Sequence, residues 1–246
     1  MSPVADCNLA VYFSLAASSQ DKLSLLRSFF GCLANALNYL HESKIRHRDI
    51  KPENILIKGS AVFLTDFGLS FDWGHLSRST TTADSAKTPV YAAPEVAHFE
   101  RRKNSSSDMW SLGCVFLEMM TVINGGTVSA MREFFKRQND NYRYYDNVEA
   151  AKEWAAQIAM ANSDDGTTPL PWIIDMLQKD PDRRPTASLL YQEILESDKA
   201  GRFCGTCCAF HGDDDSDITS DEEDLWADTM EETVRPSISC INANAI

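Results

Sequence analysis

The 246-residue sequence lacks the excess of Lys and Arg that is typical of nucleic-acid-binding proteins. Residues 203–234 contain 11 Asp or Glu residues and no Lys or Arg, and this stretch carries most of the formal net charge of −13. The rest of the chain, with 25 acidic and 23 basic residues, is nearly neutral. Because proteins that bind nucleic acid neutralise phosphates with an excess of Lys and Arg, the composition argues against a general nucleic-acid-binding surface.

Long apolar runs are also missing. The most apolar helix-like stretch, residues 110–123, is interrupted by Glu118 and is shorter than the roughly 20 residues that span a bilayer. No basic flank followed by a continuous apolar run marks a signal peptide at the amino terminus. The seven cysteines are an odd number and are scattered along the chain, which favours a reducing intracellular compartment, cytoplasmic or nuclear, in which thiols stay free. We therefore expect no membrane-spanning segment.

Apolar periodicity predicts a mainly helical domain of the α+β class over residues 1–197. Residues 21–42 carry apolar side chains at three- and four-residue spacing, whereas residues 107–122 are apolar on nearly all sides and predict a central, buried helix. Two short apolar runs, at 55–57 and 62–65, predict a small pair of strands. Further helical patterns occupy residues 128–138, 148–161, 169–178 and 186–196.

Two segments lack the periodic spacing of apolar residues that indicates a helix or a strand. Residues 66–95 are rich in Ser, Thr, Asp and Ala and predict a long loop, which is usually functional in a compact domain. Beyond residue 197 the composition changes to Cys, Gly and acidic residues, which predicts a disordered tail over residues 198–246.

The most informative stretch is HRDIKPEN at residues 47–54, between the first predicted long helix and the first predicted strand. DFG at 66–68 follows the second strand, and APE at 93–95 and DMWSLG at 108–113 come later. In this order, these segments resemble the catalytic loop, the metal-binding loop and the activation segment of eukaryotic protein kinases. The resemblance extends from residue 1 to about residue 196 and implies the helical carboxy-terminal lobe of that fold. Lys51 with the following PEN, and KTPVY at 87–91, are similar to the serine/threonine branch.

The resemblance implies transfer of the γ-phosphate of ATP to Ser and Thr hydroxyls of protein substrates, with ATP and Mg²⁺ as cofactors. Phosphoryl transfer requires alignment of the hydroxyl with the γ-phosphate, and cations that offset the charge. By the resemblance, Asp49 would accept or orient the hydroxyl proton and Lys51 would contact the γ-phosphate. Asn54 and Asp66 would hold Mg²⁺, a hard ion suited to oxygen ligands. The other residues that the resemblance places near the nucleotide are Glu53 and Leu56.

Structural roles follow from the same resemblance. Glu95 and Arg184, otherwise two solvated charges, would form a buried ion pair that holds the activation segment to the helical base. Asp108, otherwise a helix N-cap, would both cap the central helix and brace the backbone near His47. The remaining structural residues of this group are Phe67 and Gly68.

Arg48, next to the candidate catalytic Asp, suggests regulation. In kinases of this type, the Arg helps to bind a phosphate that an upstream activating kinase places on the activation segment. The alternative is that this segment is only a polar loop. The regulatory residues would be Arg48, Thr80, Thr81, Thr82, Ser85 and Thr88.

Glycine is scarce before the HRDIKPEN stretch, where Gly31 is the only one. The family's glycine-rich phosphate loop, its strand Lys and the partner Glu have no counterpart there, so the resemblance implies the helical lobe alone. We therefore expect very little activity from this chain by itself, with Leu56 and Phe67 facing water or a partner. The alternative function is a non-catalytic, kinase-like binding module. In the tail, the cysteines of CGTCC at 204–208 are compatible with half a zinc site, with lipidation or with inert thiols.

Overall fold

A computed structural model describes residues 5–67, 71–72, 90–98, 104–161, 169–197 and 200–205. Within these residues the fold is mainly helical with a small sheet, which confirms the predicted class. The helices are α1 (Leu9–Ala16), α2 (Gln20–Glu42), α3 (Pro94–Ala97), α4 (Ser105–Ile123), α5 (Val128–Asn139), α6 (Val148–Ala161), α7 (Pro169–Met176), α8 (Ala187–Glu196) and α9 (Ala200–Phe203). The strands are β1 (Cys7–Asn8), β2 (Ile45–Arg46), β3 (Ile55–Lys58), β4 (Ala61–Leu64) and β5 (Phe71–Asp72).

The two long helices α2 and α4 form the centre of the domain. Ser19 caps α2 through its side chain, and the periodic apolar face of this helix is buried. Helix α4 begins with a capping box, in which Asn104 and Ser107 each bond the other's backbone N–H. Nearly every side chain of α4 is buried, so the prediction of a central helix without a wet face is confirmed.

The sheet is larger than the predicted pair of strands. β3 and β4 pair antiparallel, with Ile55 opposite Leu64, as their apolar runs indicated. β1 adds a third strand on the other edge of β3, so the order is β1-β3-β4. β2 and β5 form a separate antiparallel pair. The prediction of two strands was therefore incomplete, because strands of two residues are too short to carry an alternating pattern.

Helix α1 precedes residue 21, where the first helix was predicted to begin. Its buried residues are Leu9, Tyr12, Phe13 and Ala16, which have the spacing of a helix face. The side chain of Asn8 caps the helix by accepting the backbone N–H of Val11 at 3.0 Å. The cap and the spacing were both visible in the sequence and could have predicted this helix.

The packed domain continues past residue 197, where the tail was predicted to begin. Helix α9 packs on α2, and Phe203 is 2% exposed. No single helix among the described residues is long and apolar enough to cross a membrane, although α4 and α5, which meet at 118°, pass on length and composition when taken together.

One of the described cysteines does not carry the free thiol that the sequence predicted. Cys7 and Cys114 carry free thiols, and Cys114 is buried in α4. Cys32, on the buried face of α2, is disulfide-bonded. The expectation of a free thiol was therefore wrong at Cys32.

Candidate active site

The HRDIKPEN loop runs from β2 to β3 and brings two polar side chains to one carboxylate. The Nζ atom of Lys51 donates to Oδ2 of Asp49 at 2.6 Å. Nδ2 of Asn54 donates to the same Oδ2 atom and to the Asp49 carbonyl oxygen, both at 2.9 Å. A 3₁₀ turn over Pro52–Asn54 brings Asn54 back beside Asp49 before β3 begins. The carboxylate is thus held from two sides by donors of its own loop.

Asp66 lies next to this loop because the end of β4 is tied to Asn54. The N–H and the hydroxyl of Thr65 donate to the Asn54 carbonyl oxygen at 2.9 and 3.1 Å. Asp66 is exposed and has a φ of +63°, in the left-handed region that non-glycine residues rarely adopt. The charges of Asp49 and Asp66 both act on the imidazole of His47. The hydrogen bonds of Thr65 thus fasten the segment that contains Asp66 to the loop that contains Asp49.

His47 is fully buried beneath the loop and connects its parts. Its Nε2 atom lies 2.9 Å from the Thr65 carbonyl oxygen, and since a carbonyl can only accept, Nε2 carries the proton. Nδ1 then accepts the backbone N–H of Asp49 at 3.3 Å. Burial lowers the pKa of His47, against the opposing effect of Asp108. The neutral imidazole therefore hydrogen-bonds both Asp49 and Thr65 and holds these two segments at a fixed separation.

This burial makes the stability of the domain depend on pH. The pKa of folded His47 lies below its ordinary value of 6.5, so below pH 6.5 the unfolded chain binds a proton that the folded chain does not. We expect the free energy of unfolding to decrease as the pH falls from about 7 to about 5. The measurement is urea unfolding at several pH values, and His47→Gln should flatten the dependence. The control is His98→Gln, which changes an exposed histidine. An equal pH dependence in His47→Gln and the wild type would contradict the prediction.

Asp108 in α4 supports the loop from below. Its Oδ1 atom accepts the backbone N–H of Arg48 at 2.8 Å, and Oδ2 accepts the N–H of His47 at 3.0 Å. Nε2 of His41, in the last turn of α2, also donates to Oδ2 at 3.1 Å. The expected brace near His47 is present, but the expected cap is not, since Asn104 caps α4. Sequence reasoning missed His41, because nothing in the spacing links it to a residue 67 positions away.

The backbone of Arg48 is itself in an unusual conformation. Its φ is +72°, also in the left-handed region. Such a conformation costs free energy for a residue with a side chain and persists where the surroundings determine it. Here the bond from the Arg48 N–H to buried Asp108 supplies that support. Arg48, which directly precedes Asp49, and Asp66 are thus both in the left-handed region.

A buried ion pair joins α3 to the helical base. NH1 and NH2 of Arg184 donate to Oε1 and Oε2 of Glu95, each at 2.8 Å. The Arg184 side chain is 0% exposed and that of Glu95 is 3% exposed. The guanidinium also donates to three carbonyl oxygens and lies 5.0 Å from the ring centroid of Trp110. Every polar group of this pair therefore has a partner.

A second buried carboxylate, Glu118 in α4, was not recognised as a site in the sequence. It accepts hydrogen bonds from the hydroxyls of Tyr91 and Tyr144, both at 3.0 Å, and from Arg132 at 3.0 Å. Burial raises the pKa of Glu118, and Arg132 opposes that shift. The cluster fastens the segment that contains Tyr91 to α4 and α5. The only visible signal was an acidic residue in an otherwise apolar helix.

A search against protein families matches the protein kinase domain to residues 10–197. The chain belongs to the protein kinase family. The matched residues include both the loop with Asp49 and the helices that support it.

Several curated protein kinases are similar to parts of this kinase chain. The serine/threonine-protein kinase nekl-2 of Caenorhabditis elegans is 38% identical over 119 residues, which are 48% of this chain and 30% of that protein. Cyclin-dependent kinase 2 of C. elegans is 42% identical over 95 residues, 38% of this chain and 25% of that protein. The human serine/threonine-protein kinase Sgk1 is 43% identical over 89 residues, 36% of this chain and 20% of that protein. The matched segments thus span less than a third of these relatives.

The remaining candidate residues differ in how exposed their side chains are. Glu53 is exposed, and Leu56 is half-buried. Phe67 is also half-buried, with its ring 5.1 Å from the His47 ring. The residues of the regulatory and structural groups that lie outside the described residues are Gly68, Thr80, Thr81, Thr82, Ser85 and Thr88. A phosphate on the activation segment that binds Arg48 therefore stays a prediction.

Proposed function

We propose that this chain carries the phosphate-transfer region of a serine/threonine protein kinase. The reaction is transfer of the γ-phosphate of ATP to a Ser or Thr hydroxyl of a protein substrate. The observation that carries the proposal is the carboxylate of Asp49, oriented by Lys51 and Asn54, with Asp66 next to Thr65, which hydrogen-bonds Asn54 of the same loop. Two of the named relatives, nekl-2 and Sgk1, are serine/threonine-protein kinases, which supports that branch.

Asp49 and Lys51 of this chain have separate roles in positioning the reacting groups. Asp49 orients the incoming hydroxyl and takes its proton, since a carboxylate held by two donors stays in one place. The ammonium group of Lys51 lies on the same carboxylate and offsets negative charge where the phosphate is transferred. Neither role requires the protein to form a covalent bond to the phosphate.

Asn54 and Asp66 are suited to hold Mg²⁺. The Nδ2 atom of Asn54 makes both of its hydrogen bonds to Asp49, which leaves its amide oxygen for a cation. Asp66 adds a carboxylate oxygen, and Mg²⁺ prefers such ligands while keeping several waters or phosphate oxygens. Within the described residues no group of three or more His, Cys, Asp or Glu residues could hold a metal by itself. A bound Mg²⁺ would neutralise charge on the phosphates.

The test compares Asp66→Asn with the wild type. We expect the variant to bind Mg²⁺ in the presence of ATP at least about tenfold more weakly, since even partners outside the first coordination sphere matter by that factor. Binding is measured by calorimetry with and without Mg²⁺, and transfer by the label from γ-labelled ATP on Ser and Thr of a protein mixture. Asp140→Asn is the matched control, because Asp140 is exposed and also has a positive φ, +55°.

The outcomes separate the two functions considered for this chain. Mg²⁺-dependent ATP binding with labelled Ser or Thr supports the kinase function. ATP binding that is independent of Mg²⁺ and of Asp66, or label on Tyr alone, contradicts it. Binding of other proteins without nucleotide binding would support the non-catalytic module.

A further inference from the structure

His41, in the last turn of α2, connects three separate elements of the domain. Its Nε2 atom donates to Oδ2 of Asp108 in α4 at 3.1 Å, and its carbonyl oxygen accepts the backbone N–H of Lys44 at 3.1 Å. Lys44 turns the chain out of α2 with a φ of +62°, and β2 and the HRDIKPEN loop follow directly. The side chain of His41 is only 12% exposed, so water competes little for its bond to Asp108. The end of α2 is thus fastened to α4 just before the chain enters the candidate active site.

The bond from His41 differs in kind from the other hydrogen bonds of Asp108. Of the three hydrogen bonds that Asp108 accepts within the described residues, only this one comes from a side chain. The other two come from the backbone N–H groups of His47 and Arg48, to Oδ2 and Oδ1 respectively. A carboxylate turns readily about its terminal torsion, because that torsion has broad minima. A third donor from a fixed direction therefore holds the Asp108 carboxylate in the rotation that serves both backbone N–H groups.

Rotation of this carboxylate would affect Asp49 through the backbone of Arg48. Arg48 has a left-handed φ of +72°, which costs free energy and persists only where the surroundings support it. That support is the bond from its N–H to Oδ1 of Asp108 at 2.8 Å. If Oδ1 turns away, the Arg48 backbone can relax, and the residue that follows it is Asp49. The position of the Asp49 carboxylate therefore depends on the rotation of the Asp108 side chain.

We propose that His41 is a positioning residue for phosphate transfer, which acts on Asp49 through Asp108 and the backbone of Arg48. His41 takes no proton and binds no phosphate in this role, and its contribution is the orientation of one carboxylate. The inference rests on the proposed kinase function, because an effect on the rate needs a reaction to measure. The effect on the backbone of the loop does not need that reaction, so it is tested separately.

The first experiment measures hydrogen exchange of the backbone N–H groups of His47 and Arg48 by NMR in the full chain. We expect both groups to exchange faster in His41→Leu than in the wild type, because the carboxylate that accepts them is held less firmly. His41→Gln keeps a side-chain N–H donor and should return both exchange rates toward the wild-type values. The N–H groups in the middle of α4 report global unfolding in the same samples. Equal changes at the loop and in α4, or no change at the loop, would overturn the positioning role.

The second experiment measures kcat and the KM for ATP from initial rates of label transfer. His41→Leu should lower kcat by roughly 10–100-fold, since a displacement of about 1 Å near the reacting groups can cost about 10²-fold in rate. The KM for ATP should stay at the wild-type value, because the inferred effect is on Asp49 and not on nucleotide binding. His41→Gln should restore most of kcat. Rates are compared at a temperature at which melting curves show every variant to be folded, so that loss of folded protein does not lower kcat.

Two further variants separate this role from a general effect on α2. Asn38→Leu is the matched control, because it removes a side-chain hydrogen bond to Glu42 at 3.1 Å near the end of the same helix, and it should keep the wild-type kcat. His41→Leu should add little to the loss of kcat that Asp108→Asn causes, because both changes act through one carboxylate. Losses that multiply in the double variant would overturn the path through Asp108.

Failure of this inference and failure of the proposed function give different results. A wild-type chain that transfers no phosphate to Ser or Thr contradicts the proposed function, while the exchange rates of the His47 and Arg48 N–H groups still decide whether His41 positions the loop. Transfer that is measurable in the wild type and has the same kcat in His41→Leu overturns the inference and leaves the proposed function in place.

Discussion

Replacement of Asp49 by Asn is expected to lower the rate of phosphate transfer by about 10²–10⁴-fold, the usual contribution of a positioned proton acceptor. The amide oxygen of Asn can still accept hydrogen bonds from Nζ of Lys51 and Nδ2 of Asn54, which now bond Oδ2 of the carboxylate. The amide is not a base, however, and cannot take the proton of the hydroxyl. Positioning is therefore retained while the proton acceptor is lost.

The measurement is the initial rate of label transfer from γ-labelled ATP, together with a thermal melt of the same sample. The melting temperature of Asp49→Asn should stay close to that of the wild type, because the change is isosteric. Asp175→Asn, on the exposed side of α7, is the control and should keep the wild-type rate. An undiminished rate in Asp49→Asn would remove Asp49 from the reaction.

Replacement of Arg184 by Met is expected to lower the free energy of unfolding by about 3–5 kcal/mol. The side chain of Met fills much of the space of the Arg, so the main loss is the charge. The variant leaves the Glu95 carboxylate buried without its partner, together with three carbonyl oxygens that Arg184 now bonds. Water cannot reach these groups to replace the lost hydrogen bonds.

The measurement is the midpoint and slope of urea unfolding at constant pH. Lys179→Met is the matched control, since its ion pair with Glu149 spans 3.7 Å between side chains that are 63% and 73% exposed. We expect this control to cost less than about 1 kcal/mol. The double variant Arg184→Met/Glu95→Leu should recover part of the loss, because an apolar pair replaces a stranded charge. A cost below about 1 kcal/mol for Arg184→Met itself would contradict the explanation.

The long helices were predictable because a buried helix face requires apolar residues at regular spacing in the sequence. Helix α2 needs apolar residues on one face only, and α4 needs them on nearly all sides, so each pattern extends over many residues. β1 and β5 have two residues each, and their existence depends on partners elsewhere in the chain. Helix α9 was missed for a related reason, since its four residues are held mainly by the burial of Phe203.

The candidate site was likewise predictable only in part. Residue types and order in HRDIKPEN were enough to single out Asp49, Lys51 and Asn54, because a loop of eight residues brings its own side chains together. The partners that support the loop come from further away. Asp108 lies 61 positions from His47, and no local pattern indicates that His41 shares its carboxylate.

From the order of its amino acids alone, this chain could be assigned its helical class, its kinase motifs and the side chains that would do the chemistry. These features are local, and short-range spacing and residue type determine them. The Tyr91–Glu118–Arg132 cluster, the Asp108 brace and the closeness of Gly31 to Cys204 needed the folded chain. Such contacts join residues far apart in sequence, and only the packing of whole helices determines which of them meet.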